Sequence, residues 1–209
     1  VISHGTWYNL FVNMQFRGIY NVVERLDRNF FESYFPAEGN DWYVVKTNDE
    51  VLDGGFSASR AWDEFQQFFA DADLREPTNY EQAHRLIDVA NYTSYMILNI
   101  WAENQDWPHN NWYAARPARP GGRWIFLSWD AEWGMGLVPA GSRMLSFIID
   151  ERANTSIGRP LARLMVNRDY QRFFVEELDR YLDGPLRYEN VLAHIDKAAT
   201  AVARDIEQE

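Results

Sequence analysis

The stretch DWPHNNWYAARPARPGGRWIFLSWDAEWG, residues 106–134, is the part of the sequence that most constrains the fold. Its two β-rich runs, residues 112–115 and 123–129, are separated by a Pro-Gly-Gly turn at residues 120–122. This pattern predicts an antiparallel hairpin. The second arm leads directly into Asp130, so we expect the hairpin to bring that carboxylate back toward the polar segment before the first arm.

The rest of the chain contains further strand-like and helix-like segments. A hairpin is predicted over residues 8–24, with residues 13–18 as its turn, and a short strand over residues 42–46. Helical spacing of apolar residues predicts helices over 27–35, 57–72, 78–101, 161–166, 169–182 and 189–206. The segment 78–101 keeps one apolar face for about six turns and starts with a capping-box pattern, Thr78 and Glu81.

These elements predict an α+β fold, with a mainly helical body and two small antiparallel β-hairpins. We expect a single domain over residues 1–209. Residues 1–56 would form a hairpin and strand portion, and residues 57–209 a helical portion that carries the candidate site. The hydrophobic content of 46% excludes a disordered chain, and the length is sufficient for a sizeable core.

The composition excludes several classes of function. Lys and Arg total 20 against 31 Asp and Glu, and the net charge of −11 argues against a sequence-independent nucleic-acid binder. The chain has no Cys, which excludes disulfides, thiol chemistry and Cys-ligated zinc. No run of about 18 apolar residues occurs, and no positively charged start leads into an apolar stretch. We therefore expect neither a transmembrane segment nor a signal peptide in this chain.

A polar loop and the end of the second hairpin carry the first candidate site. Asp106 precedes Asn110 and Asn111, and the hairpin returns to Asp130. Phosphoryl transfer requires one carboxylate that orients the attacking hydroxyl, and an amide and a second carboxylate that hold Mg²⁺. Protein kinases place the metal-binding Asn five residues after the catalytic Asp, which is the spacing of Asp106 and Asn111. In the alternative interpretation, these residues only form caps and turns, where Asp and Asn are common.

Several segments resemble the CotH family, the atypical secreted protein kinases named after a spore-coat protein. The matching segments are FVNMQFRGIY at 11–20, VERLD at 23–27, NNWY at 110–113 and WIFLSWDAEWG at 124–134. They occur in the order of the family and extend over most of the chain. The resemblance implies a fold like the C-lobe of an atypical kinase, with a strand pair from the upstream lobe.

The resemblance also implies an activity, phosphorylation of protein Ser or Thr with ATP and Mg²⁺ or Mn²⁺. By position, Asp106 is similar to the catalytic Asp and Asp130 to the Mg²⁺-binding Asp, with Asn110 or Asn111 as the amide partner. Glu132 would be an auxiliary metal ligand. The family further implies an extracellular location, or one at the cell or spore surface, and a basic, Ser-rich protein substrate.

Glu24 matches a family position as well, and the resemblance implies a cofactor-binding role for it at the edge of the nucleotide. Three departures from the family pattern accompany these matches. Glu132 stands where the family usually has a second Asp, and Asn13-Met14 stands where Asn-Gly is common. The upstream portion with a phosphate-covering loop and a Lys has no counterpart in this chain.

The chain has only two lysines, Lys46 and Lys197, and neither matches the position of a kinase-type β3 Lys. We therefore expect the chain to be the C-terminal portion of the family's domain, an N-terminally truncated CotH kinase-like domain. Its nucleotide site would be incomplete, and the isolated chain would be inactive.

A second hypothesis, from another class of function, is a carbohydrate-binding or glycan-cleaving module. Asp130 and Glu132 alternate along a strand and supply the pair of carboxylates that glycosidases use. Six of the nine Trp lie within residues 101–133. Of these, Trp107 and Trp133 flank the candidate carboxylates and would form a wall for stacking on sugar rings. Three other tryptophans are assigned to the core: Trp101, Trp124 and Trp129.

A third hypothesis is a non-catalytic structural protein of the spore or cell surface that keeps the kinase shape. An assay of phosphoryl transfer from ATP would distinguish the kinase hypothesis from the hypothesis of a non-catalytic structural protein. A saturable change of Trp fluorescence with oligosaccharides would favour the second.

Overall fold

Six strands and eight helices form the parts of the chain that the computed structural model describes, residues 3–39, 41–136 and 142–206. The strands are β1 (Gly5–Val12), β2 (Gln15–Val23), β3 (Trp42–Lys46), β4 (Glu50–Asp53), β5 (Trp112–Pro117) and β6 (Ile125–Ser128). The helices are α1 (Arg28–Tyr34), α2 (Gly55–Asp71), α3 (Pro77–Leu86), α4 (Val89–Trp101), α5 (Met144–Ser146), α6 (Gly158–Leu164), α7 (Arg168–Leu182) and α8 (Tyr188–Ile206). About half of the chain is helical and both sheets are antiparallel, which confirms the α+β class.

The chain forms two compact units. The first unit contains Leu26–Val175 and includes β3 to β6 with the first six helices. The second unit contains Ser3–Arg25 and the chain from Glu176 onward, with β1, β2, the end of α7 and α8. The polar loop and the second hairpin of the candidate site therefore both belong to the first unit.

The sheet of the first unit has the strand order β4-β3-β5-β6. β5 is a central strand, since its Ala115 pairs with Val44 of β3 and its Trp112 pairs with Ser128 of β6. The predicted second hairpin is confirmed, but it is not a separate small hairpin because β3 and β4 extend it into a larger sheet. β4 is absent from the prediction, since a four-residue strand with an acidic residue at each end lacks a strand signature.

Apolar side chains cover both faces of this sheet. On one face, Phe31 of α1 stacks on Trp42 of β3 with ring centroids 5.1 Å apart, in a buried cluster with side chains of β5 and β6. On the other face, Trp62 of α2 stacks on Trp112 of β5 at 5.7 Å and meets Trp124 at 4.9 Å. Successive strand residues point to opposite faces, so both sets of residues along β5 are buried.

The single helix predicted over residues 78–101 is two helices, α3 and α4, which are separated at Ile87 and Asp88. The linker is bound to Trp124, whose carbonyl accepts a hydrogen bond from the Asp88 N–H at 2.9 Å. Asp88 then caps α4, because its Oδ1 accepts from the Asn91 N–H at 3.0 Å. The apolar periodicity continues across this break, so it predicts one helix where tertiary hydrogen bonds produce two.

Two helices begin at residues other than the predicted ones. α2 begins at Gly55 rather than at the predicted Ser57, after Gly54 with a left-handed φ of 93°. A Cβ on Gly54 would lie 2.4 Å from the ring of Tyr43, so both the backbone and the close approach require glycine here. α3 begins one residue before Thr78, with a proline at its first position.

The predicted helices near both ends of the chain are confirmed as α1, α6, α7 and α8. α1 is capped by Asp27, whose Oδ1 accepts from the Asn29 N–H at 3.0 Å, and it ends before Pro36. Among the helices described, none has both the length and the apolar character required to cross a membrane.

In the second unit, β1 and β2 form the predicted first hairpin, and α8 contacts both strands. Its turn consists of Asn13 and Met14 alone, with left-handed φ values of 52° and 62°. Positive φ at both positions is the requirement of a two-residue type I′ turn, which matches the twist of the strands. The predicted turn over residues 13–18 is therefore too long, because β2 already begins at Gln15.

We expect Asp88→Ala to destabilise the protein by about 0.5–2 kcal/mol, because α4 loses its N-cap acceptor. The substitution also removes the partner of Arg123, whose guanidinium donates to Asp88 Oδ2 at 2.9 Å. Asp88→Asn keeps an acceptor for the cap and loses only the exposed ion pair, so it should cost about 1 kcal/mol at most. Urea unfolding followed by Trp fluorescence measures both variants. Equal losses would show that capping is not the cause.

Candidate active site

The carboxylate of Asp106 is held by side chains of its own loop. Its Oδ1 accepts a hydrogen bond from Asn110 Nδ2 and its Oδ2 accepts one from Asn111 Nδ2, both at 2.9 Å. His109 Nε2 lies 3.3 Å from Oδ1. The loop closes on itself, since the Asn110 N–H donates to the Asp106 carbonyl at 3.2 Å. The Asp106 side chain is still 28% exposed, so a fixed carboxylate remains accessible to a ligand.

Asn111 connects this loop to the end of β6. The Nδ2 group that binds Asp106 also donates to the backbone carbonyl of Asp130 at 3.0 Å. Asn111 and Asp130 both have left-handed backbone conformations, with φ of 59° and 51°, and Asn and Asp tolerate this region better than most residues. The two bonds use both amide protons of Asn111, which leaves its Oδ1 as an acceptor.

Backbone hydrogen bonds join the segment after β6 to the loop after α4. The Gln105 N–H donates to the Trp133 carbonyl at 3.0 Å, and the Met135 N–H donates to the Ala102 carbonyl at 2.7 Å. Gly134 lies between these two bonds, and a Cβ there would be 2.7 Å from the Ala102 oxygen. Glycine is therefore required for the two segments to approach this closely.

A buried amide network connects α4, the polar loop and β6. Asn99 Nδ2 donates to Ser128 Oγ at 2.9 Å, and Asn104 Nδ2 donates to Asn99 Oδ1 at 3.1 Å. Both asparagines are buried, and Asn104 and Ser128 each lie two residues before an acidic site residue, Asp106 and Asp130 respectively. The network thus joins the two segments of chain that lead into Asp106 and Asp130. The one sequence signal for it is a polar Asn99 in the apolar segment of α4.

Asp130 and Glu132 form a pair of adjacent carboxyl groups. A hydrogen bond with Glu132 raises the pKa of the Asp130 carboxyl, and partial burial and the negative charges of Glu132 and Asp106 raise it further. Among the residues that the structure describes, no Lys or Arg compensates Asp130. The pair therefore concentrates negative charge that a bound cation would neutralise.

The oxygen donors of this region suit a divalent cation that keeps water ligands. Within the described ranges, no three Asp, Glu or His side chains converge to form a metal shell, so carboxylates alone do not form one. Asp130, Glu132 and the amide oxygen of Asn111 are hard oxygen donors, which Mg²⁺ and Mn²⁺ prefer. Mg²⁺ commonly binds through one or two carboxylates and several waters, so the residues present fit this group.

The first unit brings five of the six predicted site residues into one region: Asp106, Asn110, Asn111, Asp130 and Glu132. Glu24 belongs to the second unit, where its Oε2 accepts from the His4 N–H at 3.1 Å. Its role at the edge of a nucleotide stays a prediction.

The tryptophans do not form the predicted wall for stacking on sugars. Trp107 is fully buried, and its Nε1 donates to the Tyr95 hydroxyl at 2.6 Å, so its assignment to a pocket wall is wrong. Buried Trp side chains usually find such a partner inside the core. Trp133 is 56% exposed. The core assignment is confirmed for Trp124, whereas the two others are only partly buried: Trp101 and Trp129.

Lys46 ends β3 at the same end of the sheet as the polar loop. In the strand register it lies opposite Tyr113, two residues after Asn111. Its Nζ pairs with Glu50 Oε2 at 3.1 Å. The sequence gives no sign of this proximity, because β3 and β5 are distant in the chain and only their pairing brings Lys46 to this end.

The fold and the site together define an α+β protein with a fixed Asp–Asn pair and a carboxylate pair at one end of an antiparallel sheet. The CotH kinase protein family matches residues 2–209, and the chain belongs to this family. The resemblance predicted from the sequence is thereby confirmed. No curated protein matches the chain.

In metal-free buffer, Asp130→Asn should raise the unfolding midpoint at pH 7. The pKa of Asp130 is raised by its hydrogen bond with Glu132, by partial burial and by repulsion from Glu132 and Asp106. The amide keeps a hydrogen-bond donor for Glu132 and removes the repelled charge. An acid whose pKa is raised by folding binds its proton more tightly in the folded state. The wild-type protein therefore loses stability as the pH rises through the pKa of the unfolded carboxyl and then of the folded one. The advantage of the variant should vanish as the pH falls well below about 3.9, the pKa of Asp in an unfolded chain, because Asp130 is then protonated in both the folded and the unfolded state.

Thermal unfolding across this pH range measures the effect. The matched control is Asp63→Asn, which removes the same charge from the exposed surface of α2 and should show no comparable pH dependence. A lower midpoint of Asp130→Asn at pH 7, relative to wild type, would contradict the assigned repulsion.

Proposed function

We propose that this protein transfers the γ-phosphoryl group of ATP to Ser or Thr hydroxyls of a protein substrate, with Mg²⁺ or Mn²⁺. The observation that carries the proposal is the hydrogen-bonded connection from the Asp106 carboxylate through Asn111 to Asp130. Membership of the CotH kinase family supports the kinase class. The cofactors and the acceptor are proposed from the chemistry of these side chains.

Asp106 is the residue proposed to orient the acceptor hydroxyl. A carboxylate offers about four lone-pair positions, so the bonds from Asn110 and Asn111 leave acceptor capacity for a substrate. A hydroxyl that donates to Asp106 is aligned for attack, and its proton passes to the carboxylate as its oxygen bonds to the γ-phosphorus of ATP. The bond from that phosphorus to the β–γ bridging oxygen breaks at the same time, and ADP leaves with the electron pair. The two amides hold the carboxylate in one rotamer, so its orientation costs no reorganisation when the substrate binds.

Asp130 and the amide oxygen of Asn111 are proposed to hold the metal ion, with Glu132 as an auxiliary ligand. Asn111 is assigned this role in preference to Asn110 because it also contacts Asp130. A divalent cation at this position neutralises charge on the nucleotide phosphates. Without it, the carboxylates would repel those phosphates, as the raised pKa of Asp130 already indicates for negative charge in this region.

A basic, Ser-rich protein is the proposed acceptor. The net charge of −11 attracts cationic chains and increases the rate of encounter with them. The proposed location is extracellular or at the cell or spore surface, and it rests on the family alone.

We expect Asp106→Asn to lower phosphoryl transfer by about 10²–10⁴-fold, because an amide is not a general base. The measurement is transfer from radiolabelled ATP to a basic Ser-rich peptide, with Mg²⁺ or Mn²⁺, in the full-length gene product. Asn keeps the size of Asp106 and one acceptor oxygen, so the loop should remain folded.

Asp63→Asn on α2 is the matched control and should leave the transfer rate unchanged. Retained activity in Asp106→Asn would refute the assignment of Asp106. Absence of transfer by the wild-type protein with every peptide and both metal ions would favour a non-catalytic surface protein.

Mn²⁺ binding should depend more strongly on Asp130 than on Glu132. Asp130 is fixed by the Asn111 bond to its own backbone, whereas Glu132 has one more methylene and no comparable bond in the described structure. Calorimetric titration of Mn²⁺ into Asp130→Asn and Glu132→Gln measures the difference. Equal losses would show that the two carboxylates act as one paired site, and a loss only in Glu132→Gln would reverse the assignment.

A further inference from the structure

A second region of interest is a cavity of about 440 Å³ between the start of α2 and the strand ends that carry Tyr43 and Arg116. Arg60 and Arg119 also line it, together with residues of the first turn of α2. Glu64 is the carboxylate on its wall. Three arginines therefore surround one carboxylate, in a protein whose net charge is −11.

Arg116 is placed by the sheet. It pairs with Tyr43 across β5 and β3, and the Tyr43 ring packs against Gly54 at the start of α2. The Nε of Arg116 is buried and has no hydrogen-bond partner among the described residues. The side chain as a whole is only partly buried and lines the cavity, so its guanidinium charge contributes to the positive potential there.

The other two arginines have exposed partners. Arg60 pairs with Glu64 at 2.9 Å, and these side chains are 72% and 61% exposed. Arg119 pairs with Glu38, again near the surface. Exposed pairs of this kind contribute little to stability, so a multiply charged anion can compete for both guanidinium groups.

The start of α2 adds a further source of positive potential. Gly54 is its N-cap residue and supplies no side-chain acceptor. The N–H groups of the first turn therefore lack a cap, and they carry the positive end of the helix dipole. Phe56 and Ser57 of this turn line the same cavity as Arg116.

We propose that this cavity binds a phosphate group, either as the free ion or as a phosphomonoester on a peptide. The planar fork of Arg matches two phosphate oxygens at once, and Arg116 lines the cavity with no ion-pair partner among the described residues. The positive end of the α2 dipole lies beside the cavity and adds to the positive potential there. A dianion also outweighs the single carboxylate of Glu64 on the cavity wall.

The proposed phosphate site is separate from the candidate active site. Arg116 is five residues from Asn111 along an extended strand, which corresponds to about 16 Å at about 3.3 Å per residue. A phosphate bound by Arg116 is therefore not one that reacts at Asp106. The inference does not depend on the proposed kinase activity.

Calorimetric titration with inorganic phosphate at low ionic strength tests the proposal, followed by a phosphoserine peptide and its unphosphorylated form. The wild-type chain should bind phosphate saturably, and Arg116→Gln should weaken binding about tenfold or more, as expected for the loss of a charged hydrogen-bond donor. Arg60→Gln should weaken it severalfold. Glu64→Gln should tighten it, since it removes the competing carboxylate and releases Arg60.

The matched control is Arg85→Gln, because Arg85 pairs with Glu81 one turn away on α3 as Arg60 does with Glu64 on α2. It changes the net charge equally and should leave binding within about twofold of wild type, because screened distant charges contribute little. If Arg116→Gln does not fold, Arg60→Gln and Glu64→Gln decide the question through their opposite effects.

Tighter binding of the phosphopeptide than of inorganic phosphate would identify a phosphorylated chain as the ligand, and equal affinities would identify the free ion. The proposal is overturned if neither probe binds saturably. It is also overturned if Arg85→Gln weakens binding as much as Arg60→Gln, since the effect would then be one of net charge alone.

Discussion

The pairing of β5 with β3 on one side and β6 on the other is the constraint on which the candidate site depends. The register sets Trp112 opposite Ser128, so Asn111, one residue outside this pair, and Asp130, two residues outside it, lie close together. The hydrogen bond from the Asn111 amide to the Asp130 carbonyl is a direct consequence. A slip of one residue would turn Trp112 away from α2 and also separate the two site residues, so core packing and site geometry are fixed by the same register.

The backbone of the site is strained, and the surrounding hydrogen bonds maintain it. Four non-glycine residues of this region have φ between 50° and 59°: Glu103, Asn111, Asp130 and Met135. Such conformations cost on the order of 1 kcal/mol or more each for residues with a Cβ. The Met135 N–H is bound to the Ala102 carbonyl, and Asn111 is held through its amide. The buried bond from Asn104 to Asn99 holds the loop that contains Glu103 in the same way.

The sequence was informative where a structure depends on neighbours in the chain. The hairpin ending at Asp130, the short helix α1 and the spacing from Asp106 to Asn111 are all local, and the structure has each of them. Features set by distant contacts were not predictable. α3 and α4 are separate because Trp124 binds their linker, and Trp107 is buried because the Tyr95 hydroxyl accepts its N–H. The same holds for Lys46, whose place near the loop follows only from strand pairing.

The charged residues of the first unit fall into two kinds, those that form ion pairs and those without a partner of opposite charge. Many of its ionic groups form exposed pairs one helical turn apart, such as Arg60–Glu64 and Arg85–Glu81, and these contribute little to stability. Asp130 and Arg116 differ, since within the described residues neither has a partner of opposite charge. Asp130 follows the last residues of β6, and Arg116 lies near the end of β5, at the opposite end of the hairpin. The sheet holds both residues in place. A charge without a partner favours a ligand of opposite charge, and this is the common basis of the cation proposed at Asp130 and the anion proposed at Arg116.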